Sequence, residues 1–423
     1  MWPEAGFGAG SVSAPSSGGT AETPTYWFSQ NTVKPPAGVL TLPSASDVVV
    51  VGGGVLGVAT TYWLVKMGFC VVLLEAAELG WGASGRNAGF MLCGSSPLED
   101  PAFIRAVLDN ESIEAEFVEP GHLALASSPE IEERIVEEIA KRPSSVPPLR
   151  WLDHGQCEDL LGIPISDRFL GGRWFPSGRS IHPARFVYGL ANAAARRGAV
   201  LAFNTPALSL GGSGTRSDAI RVITPRGQVN ARHVVLACNV KTAEFLPELQ
   251  HVLTPLRGQV FCTTKMRPIF RVGLAVDWGT LYWRQTGDGV IVLGGYHNLD
   301  PLAEATAQEG LNPKIQSALL RFLPEAFPGF PELTVQQRWS GIMDETLDGK
   351  PVVGRWLDGR NIWIIAGCGG HGLPPALGLG KALAESIVQG KPSPALNAFD
   401  PARFKERIRD RACQRSRSGP GLE

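Results

Sequence analysis

The spacing of apolar residues changes along the chain, and each change predicts an element. Residues 48–51 are four consecutive valines, the pattern of a strand buried on both faces of a parallel sheet. Gly52, Gly53 and Gly54 interrupt it, and residues 55–67 then read as a helix that Gly68 stops. Residues 70–74 form a second apolar run ending at Glu75. Strand, helix and strand make a βαβ unit. Further on, residues 183–197 predict a helix with proline in its first turn. Residues 200–203, 219–224 and 233–237 read as strands, with a helix near Thr242. Residues 260–264, 280–284 and 290–295 alternate like antiparallel strands. Residues 361–366 are a buried strand running into glycines, and residues 377–389 a helix. Residues 100–178 are mixed, with an acidic helix over 131–141 bounded by prolines. There is no internal repeat. Strand-rich segments interrupt the βαβ framework, which predicts two domains interwoven in sequence.

Composition narrows the class. Residues 1–24 are rich in Gly, Ser, Ala and Pro and are expected to form a disordered tail, since they bury too little apolar surface to offset chain entropy. Tyr26, Trp27 and Phe28 are expected to dock on the globular body. Lys and Arg total 39 against 40 Asp and Glu, a balance with no footprint for nucleic acid or an anionic membrane. The 50 glycines and 33 prolines imply many tight turns or close backbone approach to a ligand. The seven cysteines are scattered and form no CxxC, so a reducing, cytoplasmic location is expected. The longest apolar stretch, residues 48–59, carries four glycines and is too short to span a bilayer.

The chemistry begins at Gly52-Gly53-Gly54-Val55-Leu56-Gly57, a GxGxxG that follows a strand and opens a helix. Gly52 allows the turn, Gly54 lets backbone approach a pyrophosphate, and Gly57 lets helix and strand pack closely. Helix N–H groups then face the phosphates. Glu75, about twenty residues on, stands where a carboxylate takes the hydroxyls of an adenosine ribose, with Ala76 beside it. A second small-residue loop follows: Gly80-Trp81-Gly82-Ala83-Ser84-Gly85-Arg86-Asn87-Ala88-Gly89.

With the βαβ unit before it, this loop resembles the FAD-dependent amino-acid and amine oxidoreductases of the D-amino-acid oxidase superfamily, most closely the branch containing gamma-glutamylputrescine oxidase. The Tyr26-Trp27 lead-in resembles that branch too. The resemblance implies that residues 82–89 lie beside flavin and pyrophosphate, with Arg86 and Asn87 supplying donors. It implies that Ala207 and Ala237, at strand ends, contact adenine. It also implies that Gly369-Gly370-His371-Gly372-Leu373, before the last helix, presents N–H groups to the flavin N1–C2=O edge. Residues 254–259 and Trp339-Ser340-Gly341 resemble further family segments. The implied fold is α/β: a glutathione-reductase-like FAD-binding Rossmann domain interwoven with an antiparallel-sheet substrate domain. Residues 46–100, 179–250 and 341–395 are assigned to the first, residues 101–178 and 251–340 to the second, and residues 396–423 to a C-terminal tail.

The departures bear on substrate. Glycine-oxidase-like members bind the substrate carboxylate with arginines; this sequence has Met343 at one such position and no arginine in the closing glycine loop. Arg284, alternating with Tyr282, is the candidate replacement, or a solvated residue at a sheet edge. No cysteine stands near residues 341–343 and no histidine at residues 86–87, where relatives attach flavin covalently, so FAD is expected to be non-covalent. Cys368 is expected to pack against its strand. The family's oxygen-activating lysine has no counterpart in residues 290–294, which leaves His371 as candidate and oxygen or another acceptor open. Asp344, Glu345 and Asp348 are expected to form a solvated turn, with reception of a cationic amine as the alternative. Trp283 and Trp339 suit either an aromatic pocket or core. The seven dispersed histidines show no metal-ligand spacing. The expected reaction is oxidation of a C–N bond in a primary or secondary amine, by hydride transfer to flavin N5 and hydrolysis of the resulting imine. The alternatives are an amino-acid oxidase or dehydrogenase with Arg284 as clamp, and a flavin-binding subunit without chemistry of its own.

Overall fold

Val48 and Val50 enter one apolar cluster and Val49 and Val51 another. That is why the valine run does not alternate: helices cover one face of its sheet and further chain covers the other. In a computed structural model, which describes residues 25–94, 96–212 and 219–408, Ala45–Val51 is a central strand of an eight-stranded sheet. Val71–Leu74 and Gly227–Leu236 flank it in parallel, and Val200–Ala202 and Ile362–Ala366 lie beyond them, also parallel. Val352–Arg355 closes one edge antiparallel. The helices Val55–Lys66, Pro183–Arg196 and Ala376–Gln389 pack on the face that takes Val48 and Val50. The expected tail over residues 1–24 lies outside the described residues.

The second sheet also has eight strands. Its strands come from both excursions of the chain, His122–Ala126, Arg150–Asp153 and Gly171–Phe175 from the first and Leu253–Thr263 to Val335–Thr346 from the second. Where the two excursions meet, Gly273–Val276 runs parallel to His122–Ala126; the other pairings are antiparallel. The fold is therefore mixed α/β, a doubly covered parallel sheet joined to a largely antiparallel one.

The sequence pattern missed the strand Val335–Thr346, which pairs from end to end with Leu253–Thr263. It crosses the boundary expected at residue 341. The C-terminal end also departs from expectation. Residues 396–404 are not a free tail: Leu396, Pro401 and Phe404 are buried, and Arg403 donates to the Asp348 carboxylate at 2.8 Å. Of the arginines beyond, Arg407 is exposed and the others lie outside the described residues. The lead-in docks as its aromatic content implies, with Trp27 fully buried and its Nε1 donating to the Asn87 carbonyl.

Candidate active site

The first glycine turn is built by close contact. Gly52 has φ +111°, and a Cβ on Gly57 would stand 2.0 Å from the Gly52 carbonyl oxygen. No side chain fits there, so the helix starts hard against the strand end. Val55 N–H donates to Ser84 Oγ at 2.9 Å, whereas the N–H groups of Gly54, Leu56 and Gly57 have no partner among the described residues. Free donors at a helix N-terminus, beside a position too tight for a side chain, suit a pyrophosphate.

Glu75 lies at this turn. Its Oε2 accepts from Gly53 N–H at 2.6 Å and its Oε1 from Ala77 N–H at 2.8 Å, which fixes the carboxylate and leaves each oxygen a lone pair for a ribose hydroxyl. Thr205 N–H donates to the Glu75 carbonyl and Asn204 N–H to that of Ala77, tying the segment that leads to Ala207 to the turn after Glu75. Ala237 N–H donates to the Val51 carbonyl, next to Gly52. The structure thus brings Gly52, Gly54, Val55, Leu56, Gly57, Glu75, Ala76, Ala207 and Ala237 to one end of the parallel sheet.

The loop over residues 80–89 is tied to this end by Gly80 N–H, which donates to the Gly53 carbonyl. The side chains expected to offer donors to a ligand are engaged by the protein instead. Arg86 is buried, with Nε donating to the Trp81 carbonyl and Nη1 to that of Ser340. Asn87 Nδ2 donates to the Ala83 and Ser84 carbonyls, and its Oδ1 accepts from Gly89 N–H. Both residues hold the loop's shape, while Ala88 packs into the cluster with Trp27 and Trp339.

Val335–Thr346 links that loop to the closing one. Trp339 Nε1 donates to the Arg86 carbonyl, and a Cβ on Gly341 would stand 3.1 Å from the Arg86 Cβ. Met343 packs against Gly370. Asp344 corrects the expectation of a solvated acidic turn: it is a buried strand residue, and its carboxylate accepts from the N–H groups of Gly367 and Cys368. Burial raises its carboxyl to about 6. Glu345 is exposed on the same strand, and Asp348 pairs with Arg403.

Strand alternation sorts the second sheet. Leu281, Trp283, Leu293 and Phe261 pack with the helix Pro313–Ala326 in one cluster. Trp283 is therefore core, and so is Trp339, in the cluster with Trp27. Tyr282 and Arg284 alternate with Trp283 and take the other face, alongside Val260 and Val292. Tyr282 is pushed up to about 12 by burial, so its hydroxyl keeps its proton. Arg284 is not a solvated edge residue: it is buried, stacks over the Trp27 ring, and donates from Nη2 to the Ile181 carbonyl at 2.8 Å. Its Nε has no partner among the described residues, and burial lowers its pKa to about 10.

His371 stands apart. Its exposed ring approaches the Gly369 carbonyl with Nδ1, in a cleft of about 440 Å³ also lined by Leu98, Glu345 and Phe399. Neither Tyr282 nor Arg284 lines that cleft. Sequence reasoning missed His122, which alternates with Leu123 on the Tyr282 face. Phe90 makes edge contacts with both rings, and burial drops His122 to about 3, keeping it neutral. The only sequence signal was a lone polar residue opening the run His-Leu-Ala-Leu-Ala.

A dinucleotide cradle at the end of a parallel sheet, joined to a second, largely antiparallel sheet, defines a dinucleotide-dependent oxidoreductase fold. The chain belongs to the DAO family of FAD dependent oxidoreductases, whose profile matches residues 47–386. It is 28% identical over 408 residues to gamma-glutamylputrescine oxidoreductase of Escherichia coli, covering 87% of this chain and 89% of that one. It is 27% identical over 377 residues to the probable oxidoreductase OrdL of Rhizobium meliloti, covering 82% and 83%. Among solved structures, glycine oxidase from Geobacillus kaustophilus superimposes with a TM-score of 0.74 at 22% identity, over 85% of this chain and 98% of that one. L-proline dehydrogenase from P. horikoshii gives 0.75 at 20%, over 86% and 99%. No helix among the described residues is long and apolar enough to cross a membrane.

Proposed function

We propose that the protein oxidises the C–N bond of a primary or secondary amine with non-covalently held FAD, giving an imine that water hydrolyses. The observation that carries this reading is the row of unpartnered N–H groups at Gly54, Leu56 and Gly57 beside the fixed carboxylate of Glu75. These residues would hold the pyrophosphate and ribose. When bound, FAD supplies an acceptor for the hydride released from the substrate carbon. The closing loop adds the N–H groups of Gly370, Gly372 and Leu373, which have no partner among the described residues and suit developing negative charge. The face carrying Tyr282 and His122 provides a protonated hydroxyl and a neutral imidazole. Both can orient an amine without adding charge. Similarity to gamma-glutamylputrescine oxidoreductase supports the amine class. Non-covalent attachment is supported by the state of Cys368, the half-buried thiol in the closing loop, whose pKa is pushed up first by desolvation and then by Asp344, so that it stays protonated. Oxygen or another compound then reoxidises the cofactor.

A second reading is favoured by Arg284. No carboxylate pairs with this buried guanidinium among the described residues, and such a group matches a substrate carboxylate. The substrate is then an amino acid. Anaerobic mixing with a panel of amines and amino acids tests both readings. Bleaching of the flavin absorbance by amines alone supports the first, and bleaching by amino acids that Arg284→Met abolishes supports the second. No bleaching by any compound would leave a flavin-binding role.

A further inference from the structure

Three consecutive N–H groups of the closing loop converge on one residue. Gly367 N–H donates to Asp344 Oδ2 at 2.6 Å, Cys368 N–H to Oδ1 at 3.3 Å, and Gly369 N–H to the Asp344 carbonyl at 2.8 Å. The loop backbone lies flat on the strand: a Cβ at Gly367 would stand 2.4 Å from Thr346 Cγ2. Left-handed backbone at Gly367, Gly369 and Gly370 then turns the chain away, with φ of +78°, +54° and +81°. The next N–H groups, those of Gly370, Gly372 and Leu373, are the ones without partners. Asp344 therefore divides the loop into an anchored half and a donor half.

We propose that Asp344 is the positioning residue of the closing loop, and that its carboxylate fixes the loop geometry on which FAD retention depends. This rests on the reading that the donor half faces the cofactor. The physical case is that a buried carboxylate costs stability unless hydrogen bonds satisfy it. Here the satisfying donors are loop amides, so carboxylate and loop conformation require each other. An apolar residue at position 344 would leave those amides buried with no acceptor.

The test uses the full chain, stripped of FAD and retitrated, as wild type, Asp344→Ala and Asp344→Asn. Amide exchange over residues 365–373 is followed by mass spectrometry in the same samples. In Asp344→Ala the Kd for FAD rises on the order of tenfold to a hundredfold, and amides 367–369 lose protection. In Asp344→Asn, which keeps one acceptor oxygen, both effects are intermediate. The apoprotein unfolding temperature falls with the lost hydrogen bonds, so Kd is compared at a temperature where every variant is folded. Wild-type Kd and wild-type protection in Asp344→Ala overturn the proposal. If that variant does not fold, a wild-type Kd in Asp344→Asn overturns it equally. If the wild type itself takes up no FAD, the cofactor reading falls, and exchange protection alone decides whether Asp344 holds the loop.

Discussion

The guanidinium of Arg284 lies over the indole of Trp27, 4.9 Å from the ring centroid, and so joins the N-terminal lead-in to the inner face of the second sheet. Trp27 is fully buried and shares a cluster with Val260, Val292 and Trp339. Trp27→Ala removes the platform and leaves a cavity. We expect a loss of about 3–5 kcal/mol, read by urea unfolding. A loss under about 1 kcal/mol would mean that the lead-in is not part of the core.

Glu304 is fully buried and pairs with Arg257 through both oxygens, at 2.9 Å each, with Gln259 and Asn312 also donating to it. Burial alone would raise its pKa, but these donors outweigh it and leave the carboxyl below its usual value. Glu304→Ala removes the carboxylate that pairs with the partly buried Arg257, leaves Gln259 and Asn312 short of an acceptor, and should destabilise the protein by about 2–4 kcal/mol. Chemical denaturation measures this, and an unchanged midpoint would refute it.

The two cradle glycines should separate in effect. At Gly54 an added Cβ meets only Ser84 Oγ, at 3.1 Å, whereas at Gly57 it would overlap the Gly52 carbonyl. Gly54→Ala should fold and bind FAD at least about tenfold more weakly, through crowding of the pyrophosphate. Gly57→Ala should be deficient in folding itself. Fluorescence titration with FAD and thermal unfolding distinguish the two.

Asp344 and Asp348 should give opposite pH dependences. Asp344 is raised to about 6 by burial, so its contribution favours the fold below the unfolded value of 3.8 and is lost as pH rises through about 6. Asp348 is lowered to about 2, first by its bond from Arg403, so its contribution is present above 3.8 and is lost as pH falls through about 2. The Asp348 pair is partly exposed, so its effect is small and salt-sensitive. Asp344→Asn should flatten the stability profile between pH 4 and 6, and Asp348→Asn between pH 4 and 2. Urea midpoints across pH give both slopes; unchanged slopes would contradict the assignment.

Much of the parallel sheet was legible because its signals are local. The valine run, the glycines after it and Glu75 are close in sequence, and helix and strand periods there do not compete. The Tyr282–Arg284 alternation was legible for the same reason. Val335–Thr346 was not, because its Gln-Gln-Arg-Trp-Ser-Gly stretch lacks a strand pattern and becomes one by pairing with a partner about eighty residues away. Asp344 looked like a surface acid because the amides that satisfy it are 23 residues on. Arg86 and Asn87 were read as ligand donors because sequence cannot reveal carbonyls such as that of Ser340, supplied from the far side of the fold. Phe404 and Leu396 were hidden in polar surroundings that dominate local composition.

The long pairing of Leu253–Thr263 with Val335–Thr346, in register up to a shift at Cys262/Thr263, has a mechanical consequence. A ribbon laced along most of its length resists bending, so it forms a stiff strut under the closing loop that Met343 and Asp344 touch.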